Sequence, residues 1–318
     1  MHETFFSTKE FADAWSASSD SGERTLAVNV LGSGPNRTIH CVERRGWWGL
    51  RTISMSPMGL FGSPGWDGDL EESTLSGILR RLLDIRTLSL KWNVRFDHGP
   101  LASGLSKFDA EPMRVPTHVL SLSGGYGRVH ARFHEMIRRH VRKAGQAGVT
   151  TRSSVDPEDV GAYYAIHLRL AEANKYNSVY SLQRLLSLAK LTQSARFIVA
   201  ELNGRLLAGG LFFRDGNSVL YWHGASDRAY SNLHPSSAVL DEAIRWSCEL
   251  GCEFFNMGAS GGLASLEAFK DSWGAHREHN WSFQWVRNRR LVLSRLREGF
   301  LRKLTGEASR TRHAERIV

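Results

Sequence analysis

The chain has 318 residues, enough for about two domains that each bury a core. Apolar residues make up 42% and charged residues 23%, which excludes wholesale disorder and fibrous repeats, and no apolar run approaches the roughly 20 residues of a membrane span. The net charge is +9 and localised: seven bases stand against one acid in Arg128–Arg152, and nine against three in Arg289–Val318. Such a footprint suits a polyanion such as RNA, or two solvated basic helices.

The N-terminus carries early acids and no apolar segment, so it reads as mature sequence without a signal peptide, and a cytoplasmic protein is expected. Thr8–Trp15 is a short helix. Strands follow at Leu26–Leu31, Thr38–Glu43 and Gly49–Ser56, then a loop rich in glycine and proline from Ser56 to Trp66. Leu70–Leu83 is a helix with Leu75, Ile78, Leu79, Leu82 and Leu83 on one face. Leu88–Phe96 is a strand before a Gly/Ser/Pro loop, and Thr117–Leu122 is a strand ending in Ser-Gly-Gly. A helix runs from His130 to about Lys143 and is closed by Gly145 and Gly148.

The second half has helices at Pro157–Asn174 and Ser181–Leu191. Strands at Arg196–Leu202 and Leu206–Arg214 are joined by the hairpin signal Asn203-Gly204. A strand at Val219–Ala225, a helix at Pro235–Glu249 and a short strand at Phe254–Met257 come next. The glycine loop 258–262, a helix at Leu263–Asp271, a strand at Trp281–Arg287 and a basic helix at Arg289–Lys303 complete the chain. The fold class is α+β, in two halves of similar element order. The expected domains are 1–150 and 151–288, with a basic helix and tail over 289–318. Cys41, Cys248 and Cys252 read as core residues, and no metal site is expected.

Four stretches taken in order resemble one family. They are SLSGGYGRVHARFHEMIRRHVRKAGQAGVTTR (121–152), AELNGRLLAGGLFFRDGNSVLYWHGAS (200–226), HPSSAVLDEAIRWSCELGCEFFNMGAS (234–260) and LEAFKDSWGA (266–275). The order resembles the Fem-type (FemAB/FemX-like) peptidyltransferases and related acetyltransferase-like proteins of the GNAT superfamily. The resemblance implies two tandem GNAT-like domains and transfer of an acyl group to an amine. Fem enzymes take the acyl group from aminoacyl-tRNA and attach it to an amine of a peptide or peptidoglycan precursor. Other relatives use acyl-CoA. In either case the donor is a co-substrate, and no resident cofactor is implied.

The resemblance makes Lys270, in Phe-Lys-x-x-Trp-Gly, the candidate for steadying the donor or the oxyanion, with Phe269 beside it. Arg138 and Arg142, and Arg139 and Lys143, lie four apart and share helix faces suited to donor phosphates. His130, His134 and Arg138 form a further ladder. His223 is the candidate proton acceptor. Tyr176, Tyr180, Trp222, Asn256 and Ser260 are the candidates for acceptor binding, and loop 258–262 offers backbone N–H groups to an anion or carbonyl. No G-x-S-x-G elbow, Walker P-loop or H-E-x-x-H is expected, and nothing argues for a covalent serine intermediate. The reading is an aminoacyl-tRNA-dependent N-acyltransferase acting by direct aminolysis. Its alternatives are an acyl-CoA N-acyltransferase and a non-catalytic RNA-binding module. Partners are tRNA and a peptide or amine, with neither DNA nor integral membrane association.

Overall fold

The computed structural model describes residues 4–17, 22–30, 37–46, 50–57, 60–62, 71–84, 87–174 and 180–286. The first elements are α1 (Lys9–Ser16), β1 (Glu23–Val30), β2 (Arg37–Arg45), β3 (Arg51–Ser54), α2 (Glu72–Leu82), β4 (Thr87–Val94), α3 (Gly99–Leu105) and β5 (Glu111–Ser121). Then come α4 (Gly125–Ala131), α5 (Glu135–Gln146), β6 (Thr150–Ser153), α6 (Pro157–Asn174), α7 (Leu182–Ala189), β7 (Ala195–Leu202), β8 (Arg205–Asp215) and β9 (Ser218–Ser226). The last are α8 (Pro235–Glu249), β10 (Phe254–Asn256), α9 (Ala264–Ser272) and β11 (His276–Val286).

These elements fall into two units, one of residues 4–115 with 279–286 and the other of 116–278. The sequence pattern suggests a division at 150. The division in space comes earlier, because α5 packs on α8 and β6 pairs with β7.

In the first unit the strand order is β1-β2-β3-β4-β11. The pairs are antiparallel, antiparallel, parallel and antiparallel. In the second unit the order is β5-β10-β9-β8-β7-β6, and only β9 and β10 are parallel. Each unit thus has an antiparallel meander whose last strand leads through a helix, α2 or α8, to a parallel neighbour. Parallel neighbours need such a crossover. Each unit then takes one more antiparallel strand from the other half of the sequence: β11 in the first, β5 in the second. The fold is α+β with this plan used twice.

The hydrophobic pattern accounts for the packing. On α2, Leu75, Ile78, Leu79 and Leu82 are buried against Leu90, Trp92 and Phe283 of the first core. The second core gathers Leu120, Phe133, Ile137, Ala144, Phe212, Ile244, Phe255 and Trp273. Asn203 and Gly204 turn β7 into β8 with φ values of 52° and 74°, the left-handed pair that a two-residue hairpin requires.

Two further readings change. The helix expected from His130 is broken into α4 and α5, because His134 leaves helical geometry and its ring Nδ1 accepts from the backbone N of Met136 at 3.2 Å. His130, His134 and Arg138 therefore do not share one helix. Gly99–Leu105, expected as loop, is a helix that buries Leu101, Ala102 and Leu105, with Pro100 in its first turn. The strand end at Leu31, the centre of the loop at 63–66, Tyr176, and the basic helix and tail over 289–318 lie outside the described residues. No helix of the described residues is long and apolar enough to cross a membrane.

Candidate active site

The site candidates lie in the second unit, where the chain leaves β10. β9 and β10 pair over three residues only, the last pair being Asn256 with Leu220. Beyond Asn256 the chain follows β5: Met257 N donates to His118 O at 2.8 Å and His118 N donates to Gly258 O at 3.3 Å. β9 continues through Ser226 with no strand partner on that side among the described residues. A notch therefore opens between two parallel strands, with loop 258–262 on one wall.

Gly258, Gly261 and Gly262 in that loop have φ of 73°, 59° and 75°. These left-handed conformations favour glycine. Asn256, fully buried, uses Oδ1 to accept from Thr117 Oγ1 at 2.7 Å and from Gly258 N at 2.8 Å. Its Nδ2 has no hydrogen-bond partner among the described residues. The N–H groups of Ala259, Ser260, Gly261 and Gly262 likewise make no hydrogen bond among the described residues. They leave a set of backbone donors for an anion or a developing oxyanion.

Lys270 is buried, and its Nζ donates to Gly258 O and Ala259 O, each at 2.8 Å. Burial pushes its ammonium down to about 7, opposed by Glu267. The lysine thus ties the loop together and brings a titratable charge to it. Its helix is fixed in turn. Ser272 O accepts from His134 N at 2.8 Å, and Trp273 packs edge-on against Phe133 with centroids 4.9 Å apart. Gly274, at φ 78°, lies where an added Cβ would be 3.1 Å from Arg132 O. The Phe-Lys-x-x-Trp-Gly run is therefore the joint between α9 and the start of α5. Phe269 is half-buried and edges against Trp273 at 6.2 Å.

That joint brings the basic helix beside the lysine's helix. On α5, Ile137 and Ala144 face the core, while Arg139, Arg142 and Lys143 are exposed and make no ion pair among the described residues. Arg138 differs: it is half-buried and its Nη1 donates to Ala131 O at 2.9 Å, closing the end of α4. At the far side of α5 the His140 ring stacks on His234, the residue before α8, at 3.8 Å.

The other candidates, His223, Tyr180 and Trp222, lie together in an aromatic group. His223 shares its Nδ1 with the Tyr163 hydroxyl, and the His167 ring lies 4.5 Å from its own. Desolvation and the neighbouring histidine push it down to about 3, which makes it a weak proton acceptor. Tyr180 and Trp222 are buried and in ring contact with each other at 4.7 Å and with His223 at 5.3 and 5.7 Å. Both are thus enclosed within that aromatic group. Trp222 is also the extra residue of a bulge between β8 and β9.

Sequence reasoning missed His118, Thr117 and Asp271. His118 lies within the strand signal of residues 117–122, yet it is buried with Ser260 Oγ 3.3 Å from its Nδ1. The signal that marks this pairing is the Gly-x-Ser-x-Gly spacing of residues 258–262 between a strand and a helix, which corrects the expectation that the chain holds no such motif. No group of histidine, cysteine and carboxylate side chains among the described residues could hold a metal ion.

Residues 131–271, which contain α5, loop 258–262 and Lys270, match the family model described as an acetyltransferase (GNAT) domain. Among solved structures, FemX superposes with a TM-score of 0.71 at 13% identity, over 91% of this chain and 94% of that one. L-PGS from Bacillus licheniformis gives 0.57 at 12% identity, over 90% of each chain. A conserved protein of unknown function from Bacteroides thetaiotaomicron gives 0.58 at 9% identity, over 87% of this chain and 90% of that one. No curated protein matches the sequence. Identities this low speak for the fold, and the family model speaks for the domain type. Residues 131–271 therefore carry a GNAT-type acetyltransferase domain, and the chain as a whole has a fold similar to that of FemX.

Proposed function

We propose that the chain transfers an aminoacyl group from aminoacyl-tRNA to an amine of a peptide or peptidoglycan-like precursor by direct aminolysis. The observation that carries the donor assignment is the joint between α5 and α9. Three exposed bases, Arg139, Arg142 and Lys143, sit on the helix whose first turn is bonded to the lysine's helix. In this reading a phosphate backbone held on α5 directs its esterified end toward loop 258–262. The FemX-like fold supports the same reading.

In this reading the acyl group enters the notch between β9 and β10. The free N–H groups of the loop and the Lys270 ammonium stabilise the oxyanion, and the amide of Asn256 orients the carbonyl. Holding amine and ester together supplies much of the acceleration. The test is a donor screen with a peptide amine as acceptor. Pooled charged tRNA is expected to support transfer, and ribonuclease to abolish it. Full activity with acetyl-CoA in the absence of RNA overturns the tRNA assignment and leaves acyl transfer standing. Acyl-CoA is the second reading, favoured by the acetyltransferase family model over residues 131–271.

A further inference from the structure

We propose that Ser260, His118 and Asp271 form a proton relay for the attacking amine, in which Ser260 is the group that touches it. The inference rests on the acyl-transfer reading and supplies the base that His223 does not provide. The three side chains come from loop 258–262, β5 and α9, all within the second unit. The His118 ring lies between the other two, with Nδ1 3.3 Å from Ser260 Oγ and Nε2 3.5 Å from Asp271 Oδ1. His118 and Ser260 are buried, while Asp271 is half-exposed.

The setting is stiff. Lys270 fixes the carbonyls of Gly258 and Ala259, Asn256 fixes the N–H of Gly258, and Ser260 O accepts from Leu263 N at 3.0 Å. The Ser260 hydroxyl is thereby held where only the His118 ring meets it among the described residues. Most buried side-chain polar atoms have a hydrogen-bond partner. His118 Nε2 has no hydrogen-bond partner among the described residues and faces the Asp271 carboxylate at ion-pair distance. That is the orientation of a base whose imidazolium is to be stabilised.

The proton count closes. The amine nitrogen forms a bond to the acyl carbon and the ester C–O bond breaks. The new ammonium gives a proton to Ser260 Oγ as the serine proton passes to His118. His118 returns that proton along the same path to the departing oxygen. Nothing is oxidised or reduced. The charged groups facing His118 are Lys270, Asp271 and Glu267 from α9 and Arg277 from β11. Burial and Lys270 lower the histidine from its ordinary value, which leaves it neutral and ready to accept near neutral pH.

The same residues invite a covalent reading, since Gly258–Gly262 has nucleophile-elbow spacing. The backbone argues against it. The elbow is a strained turn, whereas the described non-glycine residues with positive φ are Asn203 and His234, and Ser260 is not among them. A relaxed serine bonded to a histidine fits a relay.

The test uses the full chain, a peptide amine and whichever of charged tRNA and acetyl-CoA the wild type accepts. Ser260→Ala and His118→Gln are expected to lower kcat by on the order of 10²-fold, with the amine KM within about twofold. Ser260→Thr retains a hydroxyl and regains most of the rate. Asp271→Asn, a half-exposed change, moves the acid limb of the kcat profile to lower pH, because His118 then takes its proton at lower pH. His118→Gln loses that limb. An unchanged kcat in Ser260→Ala, an unmoved limb in Asp271→Asn, or a raised KM at unchanged kcat overturns the relay. An acyl group found on Ser260 by mass spectrometry after incubation with donor alone also overturns it, in favour of a covalent nucleophile. If circular dichroism shows that Ser260→Ala or His118→Gln does not fold, Ser260→Thr and Asp271→Asn decide. Active wild type with insensitive variants defeats the relay alone. Wild type that transfers from neither donor defeats the acyl-transfer reading, and the relay with it.

Discussion

Two histidines of the second unit, His223 half-buried and His118 buried, differ in what surrounds them. His223 is ringed by Tyr163, His167, Tyr180 and Trp222, and no carboxylate acts on it. His118 lies among charged groups on α9 and β11, with a hydroxyl at one nitrogen and a carboxylate beyond the other. Burial lowers both. The difference lies in what each can do with a proton. His223 shares its Nδ1 with a tyrosine and has nothing to stabilise an imidazolium. His118 connects a half-exposed carboxylate to a loop of unused backbone donors. Desolvation by itself therefore marks no reactive group, and desolvation beside unpaired polar groups marks chemistry.

The largest effect expected from breaking the polar region is at Lys270. Lys270→Ala removes both ties to loop 258–262 together with the positive charge, and turnover is expected to fall on the order of 10²–10³-fold. Lys270→Arg should rescue poorly, since a planar fork cannot place one compact donor between two carbonyls 2.8 Å away. Steady-state rates with melting curves as the folding control check this. An Ala variant with the parent rate removes Lys270 from the site.

The same lysine sharpens the contrast through pH. Its ammonium is held at about 7 in the fold against an ordinary value of 10.5. Between those values the unfolded chain binds a proton that the folded chain does not, so stability rises with pH, by up to about 1.4 kcal/mol per unit. Below about pH 7 the whole cost of burying the charge is felt. Denaturant melts of wild type and Lys270→Met from pH 6 to 9 are expected to show a difference that grows with pH in favour of wild type. Parallel curves would mean that the lysine keeps its ordinary affinity for protons.

A smaller effect is expected at the basic helix. Changing Arg139, Arg142 and Lys143 together to Gln should weaken RNA binding and lower the salt slope by roughly two to three units, about 0.7–0.9 for each phosphate no longer neutralised. Titrations at several salt concentrations read both quantities. A triple variant with the parent's affinity and slope would make α5 a solvated face. The corresponding test at Arg295, Arg302 and Lys303 concerns residues outside those described.

Much of this was legible in the sequence where one element carried its own signal. The apolar face of α2 and the Asn203-Gly204 hairpin follow from local periodicity and turn chemistry. Lys270 stands out through the family resemblance of its Phe-Lys-x-x-Trp-Gly setting. Its partners do not, because the carbonyls of Gly258 and Ala259 reach it through tertiary folding alone. His118 was hidden for the same reason: it and Ser260 are 142 residues apart, and a histidine inside a strand pattern announces nothing. The break at His134 was masked by the helical propensity on both sides of a residue whose cap is made by a ring nitrogen. The aromatic candidates are a different case. The chemistry of Tyr180 suits a groove and that of Trp222 suits core or a stacking wall; both are buried, where their area is worth more.

The smallest effect on turnover, and the sharpest test of the contrast, is expected at His223. The imidazole is half-buried among aromatic rings, so His223→Gln and Tyr163→Phe break one partly buried hydrogen bond and loosen the ring packing around it. A stability loss of about 1–3 kcal/mol is expected from either, with kcat within about twofold of the parent. The pH dependence separates this from a catalytic role. His223 is held at about 3 in the fold and titrates near 6.5 in the unfolded chain. The unfolded chain then binds the extra proton between those values, and stability falls as pH falls through that window. His223→Gln, which has no such proton to gain, should lose less stability on acidification than wild type, so the two melting curves converge toward pH 4. Turnover measured over the same range should keep its acid limb in His223→Gln. Loss of that limb there, with the limb intact in His118→Gln, would exchange the roles of the two histidines and make the aromatic nest the reactive region.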